Sequence, residues 1–214
     1  MSENWEILLK LAHQFLMSSG IPGDRWTMGG GTVLMLHYNH RVSRDIDIFF
    51  NDAQYITFLT PRINDAVAGY TEDYDEQSNF LKLKFSEGEI DYIVAPSLTG
   101  STPEILDIAG ISVRTDTPEE IVIKKMFYRA ESLKVRDILD IAVTVRHKKQ
   151  EMMDNLRIFS SKLEIISDRL KLINKNYFEL VKALEVIDHE LLLTAPSIVE
   201  TFIKDCMSEI RGDL

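Results

Sequence analysis

Three glycines and a threonine, Gly29-Gly30-Gly31-Thr32, followed twelve residues later by Arg44-Asp45-Ile46-Asp47-Ile48-Phe49, constrain this chain more than any other feature. The glycines make a turn opening a short helix. The later run alternates charged and apolar residues at the period of two that a half-buried strand requires. Alternate strand residues share a face, so Asp45 and Asp47 point together while Ile46 and Ile48 point into a core. Paired carboxylates at that spacing can hold a divalent metal, and a glycine turn opening a helix can receive phosphate oxygens. Together they point to chemistry on a nucleoside triphosphate.

The rest of the chain supplies the frame. Trp5, Leu8, Leu9, Ala12, Phe15 and Leu16 recur at helical spacing, and Ile21-Pro22-Gly23-Asp24 breaks that helix. Arg25 to Met28 reads as a short strand, Thr32 to Tyr38 as a helix, Asn39 to Ser43 as a polar loop and Arg44 to Phe50 as the aspartate strand. A helix is expected over residues 52–68, broken at Pro61, with an acidic loop from Thr71 to Ser78. Phe80 to Phe85 and Glu89 to Val94 alternate as strands around the turn Ser86-Glu87-Gly88, and Ile111 to Arg114 reads as another. From Thr117-Pro118-Glu119-Glu120, a helix start, the pattern is helical to the end, with further helices over 134–147, 150–173, 175–187 and 196–211. The expected class is α+β: a small mixed sheet with flanking helices over residues 1–115, then a helical region over 116–214.

Composition narrows the setting. The single cysteine, Cys206, excludes an internal disulfide framework and reads as a core residue. No secretory signal is seen and no segment approaches the about 18 apolar residues of a membrane span, so no membrane association and a cytoplasmic location are expected. A net charge of -10 argues against broad nonspecific nucleic-acid binding. The charge is unevenly placed: 7 Lys and Arg against 16 Asp and Glu over residues 1–113, but 15 against 11 over residues 114–182. An anionic substrate docks more readily on the basic middle, although a solvated helical face has the same composition. The five histidines form no i,i+4 ligand pair, which counts against zinc.

A lone Asp-x-Asp is a weak signal. Here the glycine turn precedes it by one helix, a third acid, Asp91, sits on a later strand, and basic residues follow on a helix. Asp45, Asp47 and Asp91 form the expected metal set, for one or two Mg²⁺ (or Mn²⁺) ions that neutralise a triphosphate and activate an attacking hydroxyl. Asp91 is a ligand or the acceptor of the nucleophile's proton, and Glu89 on the same face is its competitor.

The run GGGTVLMLHYNHRVSRDIDIFF resembles the first motif of the AbiEii-type toxin nucleotidyltransferases, within the DNA polymerase β-like nucleotidyltransferase superfamily. EEIVIKKMFYRAESLKVRDILDIAV is similar to that family's later block, a helical lysine followed by Arg-Asp-x-x-Asp. By position Lys125 matches the motif lysine, with Lys124 one residue away as the alternative, and Arg136, Asp137 and Asp140 match the Arg-Asp-x-x-Asp. The resemblance covers about residues 26–145 and says little of residues 150–214. It implies transfer of a nucleoside monophosphate from an NTP to an acceptor hydroxyl, with a tRNA end or other RNA as acceptor. It also implies a toxin of a toxin–antitoxin or phage-defence pair, partnered by a cognate antitoxin.

Within that reading Gly29, Gly30 and Gly31 let the backbone approach phosphates, with Thr32 offering amide and hydroxyl donors. Arg41 contacts phosphate through its guanidinium fork and Ser43 through its hydroxyl. Lys125 neutralises the triphosphate, and Asp140 orients Lys125 or meets the nucleotide. Lys125, Arg129 and Arg136 offer a basic surface to an RNA end. Two competing functions are a glycosyltransferase using Asp-x-Asp against a nucleotide sugar, and a catalytically quiet binding module.

Overall fold

The computed structural model describes residues 4–212. Helix α1 (Asn4–Ser18) buries Trp5, Leu8, Leu9, Ala12, Phe15 and Leu16, the stripe its spacing predicts. Strand β1 (Trp26–Gly29), helix α2 (Gly30–Tyr38) and strand β2 (Ile46–Phe50) follow. Two one-turn helices, α3 (Gln54–Thr57) and α4 (Asp65–Ala68), precede strands β3 (Tyr74–Gln77), β4 (Phe80–Phe85), β5 (Gly88–Val94), β6 (Glu104–Ile108) and β7 (Ile111–Thr115). The remainder is helical: α5 (Pro118–Tyr128), α6 (Val135–Asp154), α7 (Leu156–Phe159), α8 (Leu163–Asn174), α9 (Tyr177–Leu180) and α10 (His189–Arg211). The α+β class is the one expected, a mixed sheet followed by a helical region.

Two compact units divide these elements. Of the described residues, one gathers 4–33 with Ser43–Ser97 and Ser101–Thr117, and the other gathers Leu34–Val42, Leu98–Gly100 and 118–212. The first holds a seven-stranded mixed sheet in the order β3-β4-β5-β2-β1-β7-β6. At its centre β2 runs parallel to β5 and antiparallel to β1. Ile46, Ile48, Phe50, Ile90 and Tyr92 are buried on the face that α1 covers, where the Tyr92 hydroxyl donates to the Ala12 carbonyl at 3.3 Å. In the second unit α6 packs along α10 and α5, and α10 along α8. Residues 40–42 zip onto 185–187: the amides of Ile187 and Val42 donate to the carbonyls of His40 (2.9 Å) and Glu185 (2.8 Å).

Several local expectations change. Asp45 lies one residue before β2 rather than inside it. The stretch 52–68 is two single turns, the second capped by Asn64, whose side chain accepts from the amides of Ala66 and Val67. The acidic stretch read as a loop contains β3, because Asp75 pairs opposite Lys82 and Lys84 reaches Asp73 and Asp75, giving an acidic edge strand a cationic neighbour. Strand β6, not foreseen, is an outer strand whose Ile105 is 70% exposed, so it carries no inward alternation to read.

The C-terminal boundaries move for physical reasons. The break expected between residues 147 and 150 is present as a kink at Lys148 inside α6, and the helix expected over 150–173 is divided among the end of α6, α7 and α8. The helix expected from residue 196 begins at His189, capped by the Asp188 carboxylate, which accepts from the Leu191 amide, and Pro196 lies inside it. Proline has no N–H to give the carbonyl four residues back. That carbonyl, of Leu192, accepts instead from the Tyr177 hydroxyl at 3.0 Å.

Candidate active site

The carboxylate face of the first unit is built by strand register. Parallel pairing of β2 with β5 sets Asp47 opposite Asp91 and Ile46 opposite Ile90. Laterally paired residues project from the same side of a sheet, so the two aspartates share the face opposite the buried isoleucines. Asp45, two residues before Asp47, is half-buried, and its Oδ1 accepts from the Glu89 amide at 3.3 Å. The Thr32 hydroxyl donates to the Asp45 carbonyl at 2.6 Å, so it anchors the backbone that presents the first carboxylate.

The glycines have a use besides phosphate approach. Gly29 pairs opposite Asp47, and a Cβ on it would meet the Phe49 ring at 2.6 Å. Gly30 has φ +72°, and a Cβ there would lie 1.8 Å from Asp47 Oδ2. The side chains of β2 therefore lie over the glycine backbone, and any larger residue would push the Asp47 carboxylate aside. Gly31 is buried in the first turn of α2.

Lys82 completes this face. It pairs opposite Asp91 across β4 and β5, and its Nζ lies 2.8 Å from Asp91 Oδ1, 3.0 Å from Oδ2, and in hydrogen-bond contact with Glu89. Burial opposes its charge, but hydrogen bonds to Asp91 and Glu89 outweigh that and raise its pKa. Asp91 moves the other way from a usual paired aspartate: burial lifts it, and the charges of Glu89 and Asp45 add to the lift against the pull of Lys82.

Among the described residues no group of three or more His, Cys, Asp or Glu side chains forms a ready cluster for a metal. The donor set still suits Mg²⁺, which is held by one or two carboxylates together with water and substrate phosphates. Asp47 and, two residues before it, Asp45 provide two hard oxygen donors, and the half-buried Asp91 lies opposite Asp47.

A different arrangement occupies the second unit. Asp140 is fully buried on α6 and accepts from Arg41 Nε (Oδ1) and Nη2 (Oδ2), each at 2.8 Å, from Lys125 Nζ at 2.5 Å and from His40 Nε2 at 2.8 Å. A carboxylate can only accept, so the Asp140 contact requires the N–H at His40 Nε2. Asp137, also buried, meets Lys125 at 3.0 Å and Arg129 at 3.5 Å and accepts from the Lys134 amide at 2.9 Å. Burial alone would raise both carboxyls, but Arg41 and Lys125 hold Asp140 well below its ordinary range, and Lys125 and Arg129 lower Asp137. Burial likewise opposes the Lys125 ammonium, and the two aspartates raise its pKa. Lys124 turns elsewhere, to Glu120 at 3.4 Å. The Glu120 carboxylate also accepts from the amides of Leu98 and Thr99, at 2.8 Å each, which ties 98–100 to α5.

The residues singled out from sequence thus fall into two sets. Asp45, Asp47, Asp91, Gly29, Gly30, Gly31, Thr32 and Ser43 belong to the first unit; Arg41, Lys124, Lys125, Arg129, Arg136 and Asp140 belong to the second. The Arg41 fork is engaged by Asp140, and Arg136 and Ser43 are half-buried. Lys82 and His40 were missed. Alternation did mark Lys82 as sharing a face with Lys84, but only register sets it opposite Asp91. His40 precedes Arg41 in a polar loop and carries no periodic signal.

A family model described as the nucleotidyl transferase AbiEii toxin of a type IV toxin–antitoxin system matches residues 15–200. The chain belongs to that family. Two solved structures from Helicobacter pylori resemble its fold: JHP933 (16% identity, 99% of this chain and 97% of that one, TM-score 0.54) and a putative nucleotidyltransferase (14%, 100% and 99%, TM-score 0.55). So does MenT4, a nucleotidyltransferase toxin of Mycobacterium tuberculosis (14%, 94% and 84%, TM-score 0.54). No curated protein matches the chain significantly. Among the described residues no helix is long and apolar enough to cross a membrane.

Proposed function

We propose that this nucleotidyltransferase toxin moves a nucleoside monophosphate from an NTP to a hydroxyl at the end of an RNA, a tRNA end being the favoured acceptor, and that a cognate antitoxin restrains it. The observation that carries the reading is Asp47 in register with Asp91, with Asp45 two residues before it, beside glycines whose missing side chains make room for Asp47. Asp45 and Asp47 hold the divalent ion, Mg²⁺ or Mn²⁺, and Asp91 is a third ligand or receives the proton of the attacking hydroxyl. When bound, such an ion neutralises the triphosphate and stabilises the leaving pyrophosphate. Strand register holds Asp91 beside Asp47, within reach of either role. The Gly30–Gly31 backbone at the start of α2 offers amides to phosphate oxygens. Asp140 and Asp137 keep the Lys125 ammonium charged, the state in which it neutralises a triphosphate, and Arg129 and Arg136 meet the RNA.

Incubation with each labelled NTP, Mg²⁺ and total RNA tests this. Label should enter RNA with the wild-type chain and not with Asp45→Ala. Absence of both label transfer and metal-dependent nucleotide binding overturns the assignment.

A further inference from the structure

We infer that Lys82 is a built-in cation of the carboxylate face, holding the position at Asp91 that a second divalent ion would take, so that the chain binds one exchangeable metal ion, at Asp45 and Asp47. The inference rests on the metal-dependent reading above and decides between the two roles it leaves to Asp91. Three observations carry it. Lys82 is in register opposite Asp91, so strand pairing itself aims the ammonium at the carboxylate. That ammonium lies within 3.0 Å of both Asp91 oxygens and also bonds Glu89, two residues along the same strand, so two carboxylates hold it from one side. Its side chain is only 25% exposed, and among the described residues no three acids converge as a metal cage. A divalent ion on Asp91 would face a partly desolvated ammonium a few ångströms away, where like charges repel strongly. Lys82 is in this sense a positioning residue: it orients and neutralises Asp91 without needing to touch substrate.

Mn²⁺ titration followed by electron paramagnetic resonance, with a nonhydrolysable NTP present, reads the count directly. The wild-type chain should bind one Mn²⁺, and Lys82→Met should bind two. Asp91→Asn, which leaves Lys82 in place, should keep one ion with less than about a threefold change in affinity. Two ions on the wild-type chain, one on a Lys82→Met chain with an unchanged circular dichroism spectrum, or loss of the wild-type ion in Asp91→Asn overturns the inference while leaving the nucleotidyltransferase reading intact. No Mn²⁺ on the wild-type chain overturns both.

Discussion

Aspartates in the two units are pushed in opposite directions by their surroundings. On the sheet of the first unit, burial and the charges of Glu89 and Asp45 lift Asp91 although Lys82 is beside it. On α6 of the second unit, Asp140 is more deeply buried, yet Arg41, Lys125 and a hydrogen bond from His40 hold it far below its usual range. The same side chain meets Lys82 in one place and Arg41, Lys125 and His40 in the other. A buried carboxylate that breaks even needs partners for its oxygens, as Asp140 has.

The sharpest way to break this contrast is Asp140→Ala. It leaves Arg41 and Lys125 buried without their shared counter-charge, and removing one partner of such a network costs about 3–5 kcal/mol. Urea unfolding should report that loss. The pH dependence has a definite sign. Because Asp140 and Asp137 are depressed in the folded chain, their contribution is complete above the unfolded carboxylate value of about 4 and is lost as pH falls through the folded values. Thermal midpoints of the wild-type chain should therefore fall steeply in acid, and Asp140→Ala should show a flatter acid limb.

Asp47→Asn is the counterpart on the other unit. It should lower nucleotidyl transfer by about 10²–10³-fold, the usual effect of removing one electrostatic contact to the reacting charge. The unfolding midpoint should fall by less than in Asp140→Ala, since Asp47 is half-buried where Asp140 is fully buried. A loss of stability as large as that of Asp140→Ala would place Asp47 with the structural set and erase the contrast.

Gly30→Ala tests how far the two roles of the first unit are tied. A positive φ costs about 1–3 kcal/mol for a residue with a Cβ, and that Cβ would meet the Asp47 carboxylate at 1.8 Å. Stability and label transfer should drop together; a drop in stability alone would detach the glycine from the site. The smallest effect is expected for Tyr177→Phe. Losing the hydroxyl on the Leu192 carbonyl should cost about 1–2 kcal/mol with transfer per folded molecule unchanged. Burial lifts that phenol to about 12, so it remains a donor across the working range.

Much of this was legible in the residues. The α1 stripe, the alternation of β4 and β5 and the Asp-x-Asp run all state a period, and each element lies where its period puts it to within a few residues. Where the reading failed, the deciding partner was distant in sequence. β3 is polar and becomes a strand because β4 offers its lysines. Pro196 reads as a helix start until Asp188 caps the helix earlier and Tyr177 repairs the missing hydrogen bond. Within the site, Asp91 was read as one of two acids on a face, and its pairing with Asp47 follows only from β2 lying beside β5.

By itself the sequence determined local conformation and chemical inventory: a glycine turn, an Asp-x-Asp run at the start of a strand, a lysine and two aspartates spaced along helices, and a family. These follow from backbone periodicity and from side-chain types that act over a few residues. Tertiary structure decided which charges meet. It set Lys82 against Asp91 and gathered Arg41, His40 and Lys125 onto Asp140. Charge and burial act through space, so residues of one chemical type acquire opposite tendencies only once strands are in register and helices are packed.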